Sequence, residues 1–414
     1  MLSREDNERL TRTGPGTPMG NLVRRYWIPA LFSRQLPEPD GPPVRVKLLS
    51  ENLVAFRDTR GRVGLVDERC PHRTASLFFG RNEECGLRCV YHGWKFDVDG
   101  NCVDLPSEPQ DKDFKRKIKI TAYPCIERGG LIWTYMGPPE LKPEFPDLEW
   151  TQVPDSHRYV TRHVQECNWL QALEGGFDTS HLTFLHRGDE SSADGVRQSL
   201  PIRYEVLPMD FGFAAGTCRE GKNGTENWTC SIMLMPFHKL IATAPIGAHV
   251  WVPIDDENTM NYCIEYWHDR PLSTEDLKDS KESFFIHPQL LSGGSERPVA
   301  NKDNDYLIDR VLQASGASYT GIKGIGRQDC SIQESMGPIA DRSIEHLGLS
   351  DSVIIKLRRL LLQTLKDHAD GKDLPGLDPA AYRVRSGRFT LPAGKPFEEA
   401  VDEFVRIKQP VFAK

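Results

Sequence analysis

The chain has 414 residues, of which 38% are hydrophobic and 27% charged, and its formal net charge is -7. This composition is typical of a folded protein of about two or three domains and argues against disordered and fibrous classes. The basic residues form no long stripe for phosphates, and no apolar run approaches the roughly 18 residues that span a bilayer. The start, MLSREDNERL, lacks a signal-peptide core. We therefore expect a cytoplasmic protein that binds neither nucleic acid nor membrane, and whose ten cysteines are thiols or metal ligands.

The first third of the chain predicts an arm and a small β domain. Residues 1–40 are rich in Gly and Pro and predict an irregular arm that packs on the domains through Tyr26 and Trp27. Residues 41–136 alternate short apolar runs with turn signals, which is typical of an all-β unit. The predicted strands are 44–48, 53–56, 63–66, 117–120 and 131–135, with turns at 58–61 and 97–100.

A Pro-rich connector over 137–155 separates this unit from a second domain over 156–414. A helix is expected from Asn168, followed by antiparallel strands over 211–218, 228–237, 249–253 and 260–267. Late in the chain, apolar residues at helical spacing from Ile354 to Leu365 predict a helix that Gly371 ends. The predicted fold class is α+β, with helices flanking an antiparallel sheet.

Two short Cys/His pairs form the first candidate metal site. Cys70-Pro-His72 and Cys89-Val-Tyr-His92 are separated by 16 residues and offer two thiolates and two imidazoles. The alternatives are a zinc site or chance, but structural zinc pairs usually join two cysteines through two to four residues. A mixed set suits a [2Fe-2S] cluster in which two Cys hold one iron and two His the other.

Asp178, His181 and His186 form the second candidate site. The pattern is an acidic residue, two residues, His, four residues and a second His. Chance is a competing explanation, because a chain with 12 His and 59 acidic residues is expected to contain about 0.05 matches to it. On a helix, Asp178 and His181 share one face, whereas His186 lies about 140° away from His181, so one metal needs the helix to bend or end near Thr183. Two His and one carboxylate leave adjacent positions free on Fe(II).

The boxes CPHR and CVYHGW resemble the Rieske family, and they lack the extra Cys of its respiratory members. The stretch NWLQALEGGFD before His181 and His186 is similar to the signature of Rieske ring-hydroxylating oxygenases. The resemblance implies Cys70, His72, Cys89 and His92 as cluster ligands, His181 and His186 as iron ligands, and Asp178 as the electron bridge between sites. It also implies a distant third ligand, for which Asp329 in RQD is our choice over Asp341, interpreted as an ion pair with Arg342.

One position departs from that pattern. Several branches place Asn where this chain has Glu174, which we interpret as structural rather than as an iron contact.

The segments GTPMGNLVRRYWIPA and QDCSIQESMGPIADRSIEHLGLSD resemble the phthalate dioxygenase-type branch. That resemblance implies an aromatic ring-hydroxylating terminal oxygenase with a [2Fe-2S] cluster and mononuclear Fe(II), acting with O2 on an aromatic substrate. It also implies a homotrimer or dimer of trimers without a small β subunit. Because the chain has no dinucleotide-binding glycine pattern and no plant-type ferredoxin spacing, a separate NAD(P)H-dependent, ferredoxin-type reductase is expected to supply electrons.

The sequence leaves the substrate and the reaction open. Residues 221–269 hold no Arg and only Lys222 and Lys239, which favours a monocarboxylate or neutral aromatic with Arg203 or Arg219 as an anchor. One alternative is a monooxygenase that demethylates aryl ethers. Another is an electron carrier whose second domain only binds a partner or lipid. A basic run, Lys115 to Lys117 with Lys119, predicts either a docking site for an acidic electron donor or a solvated strand edge.

Overall fold

A computed structural model describes residues 1–108, 112–187, 201–278 and 286–407. The chain forms two compact units. The first, here the β unit, comprises Gly14–Gly16 and Gly20–Pro143, and the second, the α+β unit, comprises Met1–Thr13, Thr17–Met19 and Glu144–Lys414. The predicted fold class is confirmed: a small all-β part precedes an antiparallel sheet with helices. The units divide the chain after residue 143, and the first 19 residues are distributed between the two units.

The β unit consists of three small sheets, in which all paired strands are antiparallel. Their strand orders are β1-β11-β10, β2-β3-β4-β9 and β5-β6-β7-β8. The strands are β1 Trp27–Phe32, β2 Val44–Leu48, β3 Glu51–Arg57, β4 Val63–Asp67, β5 Arg81–Glu83, β6 Gly86–Arg88, β7 Lys95–Phe96, β8 Cys102–Asp104, β9 Ala122–Tyr123, β10 Cys125–Arg128 and β11 Leu131–Tyr135. Alternate residues of these strands form a core that includes Val54, Phe56, Leu87 and Phe96, and it supports the loops after β4 and β6.

Two predictions for the first third of the chain are wrong. The N-terminal segment is regular, with helices α1 Arg4–Thr11 and α2 Pro18–Val23 before β1. Ser3 caps α1 by accepting a hydrogen bond from the Asp6 N–H, so the Gly and Pro residues only separate the elements. Residues 117–120 form no strand, because helix α3, Lys112–Lys117, ends there and Lys119 makes a single bridge with Asn101. Four alternating residues are too few to distinguish a strand from a helix end.

The α+β unit is built on an eight-stranded antiparallel sheet. Its order is β12-β18-β17-β16-β15-β14-β13, and β19 pairs with β15. The strands are β12 Arg158–Gln165, β13 Arg203–Met209, β14 Gly212–Glu220, β15 Thr225–Leu234, β16 His238–Ile241, β17 Ile246–Pro253, β18 Thr259–Tyr266 and β19 Gly387–Pro392. The turn between β17 and β18 is closed by the Ile254 N–H donating to the Asn258 carbonyl, as its Asp-rich sequence predicts.

Helices flank this sheet, and the second candidate site lies on one of them and in the segment that follows another. The described helices of the unit, besides α1, are α4 Glu149–Gln152, α5 Trp169–Phe177, α6 Arg310–Ser315, α7 Ile325–Ser335, α8 Ser352–Ala369 and α9 Phe397–Val405. Asn168 caps α5 by accepting from the Leu170 N–H, and α5 contacts both β17 and α7. The predicted late helix is α8, beyond which Gly371 has the left-handed φ of 71°. None of the described helices could cross a bilayer.

Candidate metal centres and substrate cavity

Two loops of the β unit present the predicted Cys/His pairs. One loop follows β4 and the other joins β6 to β7. Each cysteine is held through both its backbone N–H and its backbone C=O: Cys70 by Ala75 and Thr74, and Cys89 by Trp94 and Gly93, at 2.8–2.9 Å. The two loops are therefore closed in the same way.

The four side chains converge at the ends of these loops. Cys70 and Cys89 are buried, and burial, with a contribution from Cys89, raises the pKa of the Cys70 thiol to about 11. The His72 and His92 rings lie 4.5 Å apart between centroids. His92 Nδ1 is buried without a hydrogen-bond partner among the described residues, as a nitrogen reserved for a metal would be. Two thiols and two imidazoles fit a [2Fe-2S] cluster with two Cys and two His ligands.

The α+β unit brings His181, His186 and Asp329 together. One ligand atom from each lies within 4.8 Å of the others. Asp329 Oδ1 is 3.3 Å from His181 Nε2 and 3.2 Å from His186 Nε2. Helix α5 ends at Phe177, and a 3-10 turn, His181–Thr183, follows it. The prediction that Asp178 and His181 share a helix face is therefore wrong. The early end of α5 lets both imidazoles point at one carboxylate on α7.

Both histidines are held through Nδ1, so Nε2 is the nitrogen that faces the centre. His186 Nδ1 donates to the Gln328 side-chain carbonyl at 2.6 Å, and His181 Nδ1 lies 3.4 Å from an Asp178 carboxylate oxygen. Such partners select the tautomer of a metal-ligating histidine. His186 Nε2 and Asp329 Oδ1 are buried and make no hydrogen bond with the described residues, so the donor set fits a divalent metal.

The charges of this site stabilise one another. Burial opposes protonation of His181, but the adjacent carboxylates of Asp178 and Asp329 outweigh it and raise its pKa to about 9. Burial likewise opposes ionisation of Asp329, yet the nearby His186 and His181 hold its pKa well below the usual range. A divalent cation would take over the role of the protonated imidazole.

Glu174 and Asp341 lie outside the metal-ligand set. The Glu174 carboxylate pairs with Arg342 at 2.8 Å and Arg358 at 2.6 Å, which gives it a structural role. Asp341 is exposed and accepts hydrogen bonds from Ser343. The predicted ion pair between Asp341 and Arg342 is therefore wrong, because the fully buried Arg342 side chain turns to Glu174 instead.

A cavity of about 160 Å³ lies beside His181, His186 and Asp329. Its walls carry three cationic side chains: Arg219 on β14, Lys239 on β16 and Arg388 on β19. Arg203 does not line it and pairs with Glu226 at 2.7 Å, so the expectation that Arg203 is an anchor is wrong.

The sequence reasoning missed Arg388, Gln328 and His249 as site residues. Arg388 and His249 reach the cavity through strand pairing, for which the sequence holds no local signal. Gln328 directly precedes Asp329, and that position was the available signal.

The matches to known proteins agree with this geometry. Residues 26–124 match the Rieske [2Fe-2S] domain family, and residues 134–200 and 214–386 match the LigXa C-terminal domain-like family. The chain is 41% identical to the 3-chlorobenzoate-3,4-dioxygenase oxygenase subunit of Comamonas testosteroni, over 97% of this chain and 98% of that protein. It is 36% identical to the phthalate 4,5-dioxygenase oxygenase subunit of Pseudomonas putida, over 96% and 94%. A solved structure, NdmA of Pseudomonas putida CBB5 with theobromine, superposes with a TM-score of 0.61 at 20% identity, covering 87% of this chain and 95% of that one.

The fold and the two centres together define an oxygenase with a Rieske cluster and a non-haem iron. The chain belongs to the Rieske oxygenase family that includes the oxygenase subunits of 3-chlorobenzoate and phthalate dioxygenases. Its cofactors are a [2Fe-2S] cluster in the β unit and a mononuclear iron in the α+β unit. The predicted family, enzyme class and cofactors are confirmed.

Proposed function

We propose that the chain is the terminal oxygenase that dihydroxylates or hydroxylates the ring of an aryl monocarboxylate. The observation that carries this is the cavity beside His181, His186 and Asp329. Its volume of about 160 Å³ is close to the roughly 150 Å³ that accommodates benzene, so one ring fills it. Arg219 and Arg388 line the same cavity and offer the planar donor pairs that suit a carboxylate.

The metal ligands follow from the donor sets. Cys70, Cys89, His72 and His92 hold the cluster, and His181, His186 and Asp329 hold the iron. When bound, the cluster supplies single electrons and the iron supplies free adjacent positions for O2.

The chain's own side chains do the positioning. Arg219 and Arg388 hold the carboxylate at one end of the cavity, and Trp251 and Ile241 provide apolar walls that orient the ring and exclude water. Asp178 and Gln328 keep the two histidines in the tautomers that present Nε2. An anchored ring is thereby held with one edge toward the three ligand side chains.

The working assembly is a homotrimer or a dimer of trimers, in which Asp178 bridges His181 to His92 of the partner subunit. Two observations support this part of the proposal. The Asp178 carboxylate is partly exposed beside His181. The loop of His92 carries the exposed apolar side chains Val90 and Tyr91, which suit a protein interface. A separate NAD(P)H-dependent reductase delivers the electrons.

A cytoplasmic location is part of the same proposal. None of the ten cysteines, all of which are among the described residues, forms a disulfide, as expected of a protein in a reducing compartment.

Iron analysis separates this function from that of an electron carrier. The oxygenase contains about three Fe per chain, and a carrier with the cluster alone contains about two. Asp329→Ala should lower the count to about two and leave the cluster's visible spectrum intact, whereas Asp341→Ala should keep about three. An Asp329→Ala protein that retains all of its iron would contradict the assignment.

Turnover with ¹⁸O2 on benzoate, 3-chlorobenzoate and 3-methoxybenzoate tests the reaction. Dihydroxylation places two labelled atoms in the product, hydroxylation places one, and loss of methanal from 3-methoxybenzoate identifies O-demethylation. We expect label in the ring of benzoate or 3-chlorobenzoate. If none of the aryl carboxylates binds or reacts, the substrate class is wrong.

A further inference from the structure

A row of polar side chains crosses the sheet at the cavity, close to the iron ligands. His249 on β17 lies opposite Lys239 on β16 and opposite Cys263 on β18. In the next row, His163 on β12 lies opposite Asn261 on β18. Of these five residues, all but Cys263 line the cavity. Polar groups in a cavity sized for an aromatic ring determine which substituents that ring can carry.

His163 is set in one tautomer by its neighbour on α7. The Arg327 guanidinium lies 2.9 Å from His163 Nε2, and because a guanidinium can only donate, Nε2 accepts. Burial and Arg327 hold the pKa of His163 well below its usual range, so the ring is neutral and Nδ1 carries its proton. That nitrogen faces Cys263 Sγ at 3.9 Å.

His249 is set in one tautomer by Asn261. His249 Nδ1 lies 3.0 Å from the Asn261 side-chain carbonyl, which can only accept, so Nδ1 carries the proton. Burial, with Lys239 beside it, lowers the pKa of His249 to about 4, so the ring is neutral at physiological pH. No described residue hydrogen-bonds the remaining nitrogen, Nε2, which is left as an acceptor at the cavity wall.

Lys239 supplies the complementary group. Its ammonium donates to the Gly176 carbonyl at the end of α5 and lies 5.4 Å from the centre of the Phe177 ring. An ammonium has three donors, so others remain for a ligand. Lys239 and His249 are cross-strand neighbours, which places a donor and an acceptor side by side.

We propose that Lys239 and His249 form a subsite for a ring hydroxyl, so that the substrate is a hydroxylated aryl carboxylate. A hydroxyl can accept a hydrogen bond from Lys239 and donate one to His249 Nε2. A chloro, methoxy or second carboxylate group can only accept, so its lone pairs face the lone pair of His249 Nε2. The inference rests on the proposed function, which supplies the aryl carboxylate.

The two ends of the cavity allow this arrangement. Lys239 pairs with Met233 of β15, and Arg388 pairs with Thr229 of the same strand. Met233 and Thr229 are four residues apart on β15, so their Cα atoms are separated by about 13 Å. The long side chains of Lys239 and Arg388 reduce this gap to the span of one substituted ring.

Anaerobic calorimetry on the oxidised holoenzyme tests the subsite without turnover. The probes are the isosteric pairs 3-hydroxybenzoate and 3-methylbenzoate, and 4-hydroxybenzoate and 4-methylbenzoate. One hydroxy compound should bind at least about tenfold more tightly than its methyl partner, because the methyl group leaves both protein groups unpaired. In His249→Phe this ratio should fall to near one, and in His249→Gln, whose amide oxygen can accept, it should largely persist.

The outcomes separate the two proposals. If the methyl compounds bind and neither hydroxy compound binds more tightly in the wild-type protein, the subsite is refuted and the proposed function stands. The same conclusion follows if His249→Phe, with its cluster spectrum and melting temperature retained, keeps the wild-type ratio. If no benzoate binds, the proposed function itself fails.

Discussion

Glu174 has the structural role that was expected for it from the sequence. It lies four residues before Asp178, yet its buried carboxylate contacts Arg342 and Arg358 and no iron ligand. We expect Glu174→Gln to destabilise the protein by about 3–5 kcal/mol, because two buried guanidinium groups lose the negative charge that they share, and of the two only Arg358 keeps another carboxylate partner, Glu345. Chemical denaturation measures this, with Asp341→Asn at an exposed position as control, for which a change within about 0.5 kcal/mol is expected.

The same carboxylate gives stability a defined pH dependence. Burial raises the pKa of Glu174, but Arg342 and Arg358 outweigh it and lower the pKa below its ordinary value. Its contribution is therefore fully present above about pH 4.3 and is lost as the pH falls through the lower pKa of the folded state. In Glu174→Gln, the acid limb of the stability curve should be flatter than in the wild type. Parallel acid limbs would show that Glu174 carries no such linkage.

The candidate site residues differ in how far sequence could predict them. Cys70, His72, Cys89 and His92 lie in two short loops, so their spacing alone specified a metal site. Asp329 lies far from His181 in sequence and was found only through family resemblance. Arg388 and His249 could not be found, because their place in the cavity depends on the strand register, which long-range packing sets.

At the scale of elements, the second cluster loop depends on Gly93. Its φ is +80°, and a Cβ there would lie 2.5 Å from Pro106 Cγ. Gly93→Ala should therefore distort the loop that holds Cys89 and His92 and remove most of the cluster's visible absorption. Gly61→Ala is the matched control, because Gly61 has a φ of +79° with nothing within 4 Å. It should keep the cluster and lose about 1 kcal/mol of stability. Equal absorption in both variants would contradict this account.

Elements were predictable where local pattern and packing agree. Strands β2 and β11 have the expected bounds, because their runs are bordered by turns and their apolar residues face the core. The strand prediction for residues 117–120 was wrong because their alternating pattern also fits the end of α3. The prediction of an irregular N-terminal segment was wrong because the capping residue Ser3 indicates a helix start more strongly than the Gly and Pro content of the segment argues against one.

At the scale of the whole molecule, electrons must enter from a separate donor, and α3 is a candidate docking site. Arg116 and Lys117 are exposed on it, and the Phe114 ring lies 6.1 Å from Trp94, which stacks on His72 at 4.3 Å. The double variant Arg116→Glu/Lys117→Glu should slow cluster reduction by an acidic donor about tenfold at low salt and less at high salt. Arg60→Glu/Arg128→Glu, a double reversal at two exposed positions outside α3, is the charge-matched control. Stopped-flow reduction rates that are equal for all proteins at every ionic strength would exclude docking at α3.

Asp178 tests whether the two centres of the assembled enzyme communicate through one carboxylate. It lies 3.4 Å from His181 Nδ1, and although burial opposes it, the hydrogen bond with His181 lowers its pKa, so it is ionised. Asp178→Asn keeps the shape of the side chain but removes its charge and one acceptor, so both metals and substrate binding should be retained. Electron transfer between the centres should slow by about 10- to 100-fold if Asp178 joins His181 to His92 of the partner subunit as proposed, because the substitution weakens the hydrogen bonds of that bridge. The measurement is reoxidation of the prereduced cluster in a single turnover with O2 and substrate, with Asp341→Asn as the control. Wild-type reoxidation in Asp178→Asn would mean that the residue only holds the fold around His181.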